Sequence, residues 1–269
     1  MIDAEIDEII QVLKREHGYD FSNYSMASFR RRVQRVMNLY HIAGFYDLKY
    51  ALVNDKKFIG HFVHEISVCV TEMFRDPQFF KKLTDKVLPL LASYPTIKIW
   101  HAGCSTGEEV FSLAILLDEM GLLQRSRIYA TDINQEAIEK AKKGIIDARN
   151  IKEYTQNYIK AGGKNDFSVY YTARYDNAMI KKELREGIVF SQHNLVVDGA
   201  FNEFQLVCCR NVLIYFNRTL QNHVLSLFYS SLAPLGFLAL GIKESLLFTE
   251  AKDKFDVVDN ANKIFRRKV

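Results

Sequence analysis

KIWHAGCSTGEEVFSLAILL, residues 98–117, is the stretch that decides the fold. It enters on an alternating run, Ile97-Lys98-Ile99-Trp100, the pattern of a strand joining a sheet. The run breaks at Gly103-Cys104-Ser105-Thr106-Gly107, where small residues permit a tight turn and let a ligand approach the backbone. Val110, Phe111, Leu113, Ala114, Leu116 and Leu117 then give a helix with a broad apolar face. Strand, glycine turn and helix together place backbone N–H groups and a positive helix end at the sheet's C-terminal edge, where nucleotide-like ligands bind in open α/β folds.

The residues after the turn narrow the ligand. A phosphate loop carries Lys and Ser or Thr after its last glycine, whereas Gly107 is followed by Glu108 and Glu109. Two carboxylates repel a pyrophosphate and suit a cation. S-adenosylmethionine offers a sulfonium and an ammonium and has no phosphate. The next strand, Arg127–Thr131, ends in Asp132, placed to accept from ribose hydroxyls. The pattern favours a methyl donor over a nicotinamide cofactor.

Working outward, strands and helices alternate: strand 97–102, helix 108–120, strand 127–131, helix 134–143. This predicts a Rossmann-like, largely parallel α/β sheet. Residues 150–187 interrupt it with Gly162-Gly163 and an alternating Phe167–Tyr171, which reads as a small antiparallel β insert. The sheet resumes at 187–190 and exits through Gln192-His193-Asn194-Leu195. A buried strand, 204–209, ends in Arg210-Asn211, a polar pair at a ligand-binding edge. Helix 219–232, strand 237–241 and a pair near 255–258 and 263–267 close it.

Upstream, residues 1–72 read as an all-helical domain, and 73–269 as the α/β domain carrying the insert. Ile6, Ile9, Ile10 and Leu13 recur at helical spacing before Gly18. Ser25 is a candidate cap for a second helix, whose apolar face of Phe29, Val33, Val36 and Met37 lies opposite Arg30, Arg31, Arg32 and Arg35. Those arginines form either a solvated face or a docking surface for an acidic helical partner. A third helix is expected over 45–54, and one more from Phe79 to Leu91.

Composition excludes several classes. A formal net charge of +4 is too small to argue for nucleic acid. Cys69, Cys104, Cys208 and Cys209 lack metal-ligand spacing, so no metal is expected. The charge-free run from Asn222 to Ile242 is split by Pro234-Leu235-Gly236, which argues against a membrane span. The N-terminus is acidic and amphipathic, unlike a signal peptide. A cytoplasmic, monomeric protein is the expectation.

Taken together, TEMFRDPQFF, WHAGCSTGEEVFSLAI, YATDIN, FSQHNL and CCRNVLIYF, behind an arginine-bearing helical domain, resemble the chemotaxis receptor methyltransferases (CheR) along nearly the whole chain. The resemblance implies methyl transfer from S-adenosylmethionine to receptor glutamates, giving γ-glutamyl methyl esters. It implies that Thr71 and Arg75 cover the cofactor. Glu109, rather than Glu108, would bind its ammonium, Asp132 its ribose, and Asn194 and Leu195 would flank the adenine. Arg210 and Asn211 would lie near its methionine part and Gly103 would also contact the cofactor, with Arg75 and Tyr215 framing the acceptor carboxylate. His101 and His193 would be structural. The insert corresponds to a subdomain that in some members grips a receptor's C-terminal pentapeptide. One departure is Cys69, where the family usually has Asn, and it motivates an alternative: a catalytically weak or inactive cofactor-binding signalling module. A nicotinamide-linked oxidoreductase is disfavoured by the paired glutamates.

Overall fold

The computed structural model describes residues 2–67, 70–174 and 176–269. Four helices come first: α1 (Asp3–His17), α2 (Met26–Leu39), α3 (Phe45–Asn54) and α4 (Lys56–Ile66). On α1 the residues at helical spacing, Ile6, Ile9, Ile10 and Leu13, are all buried. They pack with Phe29, Val33, Leu48, Leu52 and Phe62 into one core. Gly18 ends α1 at φ 74°, a left-handed cap whose N–H bonds the carbonyls of Leu13 and Lys14. Asp55 starts α4 by accepting from the N–H groups of Lys57 and Phe58.

The α/β part follows: α5 (Pro77–Lys86), α6 (Leu88–Leu91), β1 (Ile97–Ala102), α7 (Glu108–Glu119), β2 (Ser126–Asp132) and α8 (Gln135–Lys143). Next come β3 (Ile145–Asp147), α9 (Ile151–Lys160), β4 (Tyr171–Arg174), β5 (Asn177–Ile180) and α10 (Lys182–Arg185). The chain closes with β6 (Ile188–Gln192), β7 (Phe204–Cys209), α11 (Arg218–Ser231), β8 (Leu232–Leu240), β9 (Phe255–Asp259) and β10 (Ile264–Arg267). The main sheet runs β6-β2-β1-β7-β8-β10-β9. Its first five strands are parallel, and β10 is antiparallel to both neighbours. Strand order reverses between β1 and β7, so the loops after these two strands diverge and open a crevice there. Trp100 is fully buried beneath it and donates from Nε1 to Thr131 Oγ1 at 2.8 Å.

Local details depart from the expected pattern. The segment 167–170 is a 3₁₀ turn, and the strand begins only at Tyr171. Phe167 and Tyr170, three residues apart, both bury against Tyr158, and that spacing fits a 3₁₀ turn rather than a strand. The small antiparallel sheet, β3-β5-β4, takes its first strand from 145–147 and encloses α9, so the insert is helix plus sheet. The expected helix 79–91 is two helices, broken at Val87 before Pro89, whose ring cannot follow a helical turn. Ser25 sits at the start of α2, but its side chain makes no capping bond. Its N–H instead donates to the carbonyl of Tyr215 at 2.8 Å.

That bond belongs to a seam joining the helical bundle to the sheet edge. Asn217 N–H reaches Asn23 O at 2.9 Å, and the Tyr24 ring meets Phe216 edge-on at 5.0 Å. On the other side Asn134, which caps α8, places its amide 3.0 Å from Ser67 Oγ and 3.1 Å from His64 Nδ1. The bundle is thereby fixed over the C-terminal ends of β1, β2 and β7.

Candidate active site

Under that seam lies a cavity of about 360 Å³. Thr71, Arg75, Gly103, Glu109 and Asp132 line it, as do Asn194, Leu195, Arg210, Asn211 and Tyr215. The structure therefore brings every site residue expected from the sequence to one place. Cys69 lies outside the described residues, as does Tyr175 in the insert. Glu108 is buried away from the cavity and accepts from Thr106 Oγ1 at 2.6 Å.

The floor is the turn after β1. Gly103 has φ 79°, and a Cβ there would come within 2.4 Å of Val212, so glycine is required on two counts. Its N–H and that of Cys104 bond the carbonyl of Thr131 at 2.7 and 2.9 Å. Asp132 is nearly buried, accepting from Ser105 N–H at 2.8 Å and from Asn134 N–H at 2.9 Å. Burial pushes its carboxyl up, and those N–H groups only partly counter this. Each oxygen keeps lone-pair capacity for a hydroxyl from the cavity.

Glu109 is the most tightly managed charge. Its Oε1 lies 3.2 Å from His101 Nδ1, and its Oε2 accepts from Arg210 Nη1 at 2.8 Å. Burial acts to raise this carboxyl, but the Arg210 charge and the His101 hydrogen bond outweigh it and hold it below its ordinary value. Glu109 is therefore held ionised at the cavity wall, its charge shared with Arg210. Arg210 itself is completely buried. It also donates to Asp76 Oδ2 at 2.7 Å, approaches the carbonyl of Arg75, and lies 3.9 Å over the Phe79 ring. Its work is to tie the 75–76 turn to α7.

Three features escaped the sequence. His101, structural as expected, is buried and hydrogen-bonds Glu109, a partner that its position did not announce. Arg32 turns into the cavity, whereas Arg30, Arg31 and Arg35 line a separate surface groove. Counting around α2 puts Arg32 at the Val36 border of the apolar face and Arg30 at its Met37 border, which sets both apart from Arg31 and Arg35 but does not single out Arg32. Glu244 underlies the Asn211–Ile214 loop, which no local pattern announces.

The donor set fits S-adenosylmethionine. One ionised carboxylate suits an ammonium, and a second carboxylate suits ribose hydroxyls. A glycine turn without Cβ bulk lies beside them. Ser105 Oγ and His193 Nδ1, both on the cavity wall, are buried with no partner among the described residues. A bound ligand or an ordered water would satisfy such atoms. Among the described residues no cluster of His, Cys, Asp or Glu could hold a metal ion. A parallel sheet with this turn and these two acids defines an S-adenosylmethionine-dependent methyltransferase.

Comparison with known proteins agrees. Residues 69–264 match the family model described as CheR methyltransferase, SAM binding domain, and residues 4–67 match that of the CheR methyltransferase all-alpha domain. The chain is 45% identical to a Pseudomonas putida protein named as a methyltransferase, Cher3, covering 98% of this chain and 97% of that one. It is 30% identical to a chemotaxis protein methyltransferase of Vibrio parahaemolyticus, over 95% and 94% of the two chains. A Listeria innocua chemotaxis protein methyltransferase is 28% identical over 88% of each. The chain belongs to the CheR methyltransferase family.

Proposed function

We propose that the enzyme methylates glutamate side-chain carboxylates of a chemoreceptor or a receptor-like signalling protein, giving glutamyl methyl esters. The observation that carries this is the composition of the cavity mouth. Arg75 and Tyr215 line the cavity beside the expected cofactor residues, and Arg32 lines it from the helical bundle. Among the described residues Arg75 makes one hydrogen bond, from Nη1 to Val70 O at 3.4 Å, which leaves most of its guanidinium donors for a carboxylate.

S-adenosylmethionine, when bound, supplies a methyl group on a positively charged sulfur. Glu109 would hold its ammonium, Asp132 its ribose, and Asn194 and Leu195 its adenine end. Thr71 would cover it, with Gly103 and Asn211 alongside. Arg75 and Tyr215 orient the acceptor, and the bundle excludes water, so alignment is the main catalytic contribution. A glutamate of ordinary pKa, about 4.3, is already an anionic nucleophile at neutral pH, so no general base is needed. The rate is expected to rise through the acceptor's pKa and stay flat to about pH 8. A limb near the histidine value of about 6.5 would instead implicate a base.

The domain division at 72/73, the insert and the α2 arginines enter as a docking scheme. Arg30 is paired with Asp3 and Arg35 with Glu65, while Arg31 is exposed and has no ion-pair partner among the described residues. Arg31→Glu is therefore expected to raise KM for an acidic helical substrate several-fold at low salt, with the difference shrinking at high salt. Equal rates for both proteins at both ionic strengths would remove α2 from the scheme. The inactive-module alternative rests on Cys69 alone, and no described residue favours it. No described helix is long and apolar enough to cross a membrane.

The deciding experiment is incubation with methyl-labelled S-adenosylmethionine and receptor-bearing membranes. Label that alkali releases as volatile methanol supports an ester. Alkali-stable label, or none, rejects the proposal.

A further inference from the structure

The loops after β7 and β8 meet on one side chain. Glu244 follows β8 and is 4% exposed. Its Oε2 accepts from Gly241 N–H at 2.6 Å and Asn211 N–H at 3.1 Å. Its Oε1 accepts from Val212 N–H at 2.9 Å and from Ile214 N–H at 3.4 Å. Consecutive N–H groups converging in this way make an anion nest, and here the anion is supplied by the protein itself.

The nest holds a conformation that the chain would not otherwise keep. Asn211 has φ 61°, left-handed and uncommon for a residue with a Cβ. Gly241 permits the approach: a Cβ there would lie 2.8 Å from Asn211 N and 2.9 Å from Glu244 Oε2. The loop so fixed carries Asn211 and Val212 into the cavity wall. It then delivers Tyr215, whose carbonyl takes the Ser25 N–H of the helical bundle.

We propose that Glu244 is a positioning residue for methyl transfer: from outside the cavity, its carboxylate sets Asn211, Tyr215 and the bundle seam in their working places. Burial pushes this carboxyl above its ordinary value, and the backbone N–H groups of Gly241, Asn211, Leu213 and Val212 oppose that without cancelling it. The proposal rests on the methyl-transfer reading above for its kinetic part, and on cofactor binding alone for the rest.

Glu244→Gln tests it. The amide keeps the volume but turns an NH₂ toward backbone N–H donors, so part of the nest is left unpaired. The expected result is S-adenosylhomocysteine affinity weaker by about tenfold and kcat lower by about tenfold or more, with far-ultraviolet circular dichroism unchanged. Hydrogen exchange should quicken at the amides of 211–215 and Ser25, not in the α1–α3 core. A lower melting temperature with kcat, affinity and these amides unchanged would reduce Glu244 to a stability element and overturn the proposal. If the variant does not fold, Gly241→Ala gives the same readouts, because its Cβ displaces the same contacts. Affinity for S-adenosylhomocysteine is independent of the methyl acceptor. A wild-type protein that binds it but methylates no receptor therefore defeats the function proposed above and the kinetic part of this inference, while the affinity and exchange readouts still decide whether Glu244 positions the cofactor wall.

Discussion

Arg210→Met is expected to destabilise the enzyme by about 3–5 kcal/mol, the usual cost of removing one partner from a buried charge cluster. At about 2–4 °C per kcal/mol for a chain of this size, the melting temperature should fall by about 6–20 °C. Methionine roughly preserves the stack on Phe79 but leaves Glu109 and Asp76 without their shared cation. The effect carries a pH signature. In the wild type, Glu109 is held below its ordinary value, so its contribution is present above the unfolded pKa. It is lost as pH falls through the folded one. Without Arg210, burial is less opposed and shifts Glu109 upward, so ionised Glu109 opposes folding. The gap between the two proteins should therefore be widest near neutrality and narrow as pH falls, closing once it passes the lowered value of wild-type Glu109 and that carboxyl is protonated in both proteins. Thermal melts from pH 3 to 8 check this. A gap independent of pH would mean that Arg210 acts by packing alone.

Glu109→Gln separates binding from folding. Glutamine retains the shape and can still accept from Arg210, so the fold should survive. What disappears is the charge offered to a cationic ligand. Losing one member of a buried ion pair weakens binding by about 2–5 kcal/mol, so S-adenosylmethionine affinity should drop by about 30-fold or more. The neighbouring Glu108→Gln should leave affinity within about twofold, since its carboxyl is held by Thr106 and does not line the cavity. Equal losses in the two variants would show that the paired acids act as a general negative field.

These expectations show which parts of the site the sequence carried. The turn 103–107, Glu109 and Asp132 were legible because the chemistry sits within one strand–turn–helix–strand unit. Spacing alone places them at one edge. Arg210 was visible as a polar residue ending an apolar strand, but its work was not. Its partners Asp76 and Glu109 lie 134 and 101 residues away and meet only when β7 pairs with β1. Glu244 was hidden for the same reason, with its loop contacts 30–33 residues upstream. The misjudged segments are local. Phe167–Tyr171 alternates in hydrophobicity, yet Phe167 and Tyr170 bury together, and tertiary packing overrode the period-two pattern. Ser25 has the composition of a cap, but the seam to Tyr215 uses its backbone instead.

Everything above depends on one cofactor cavity closed by both parts of the chain. Calorimetric titration with S-adenosylhomocysteine, on the wild type and on Asp132→Ala, tests that most directly. Saturable binding near one equivalent, lost or strongly weakened in the variant, is the predicted result. No binding to the folded wild type, or equal binding to both proteins, would contradict the account at its base.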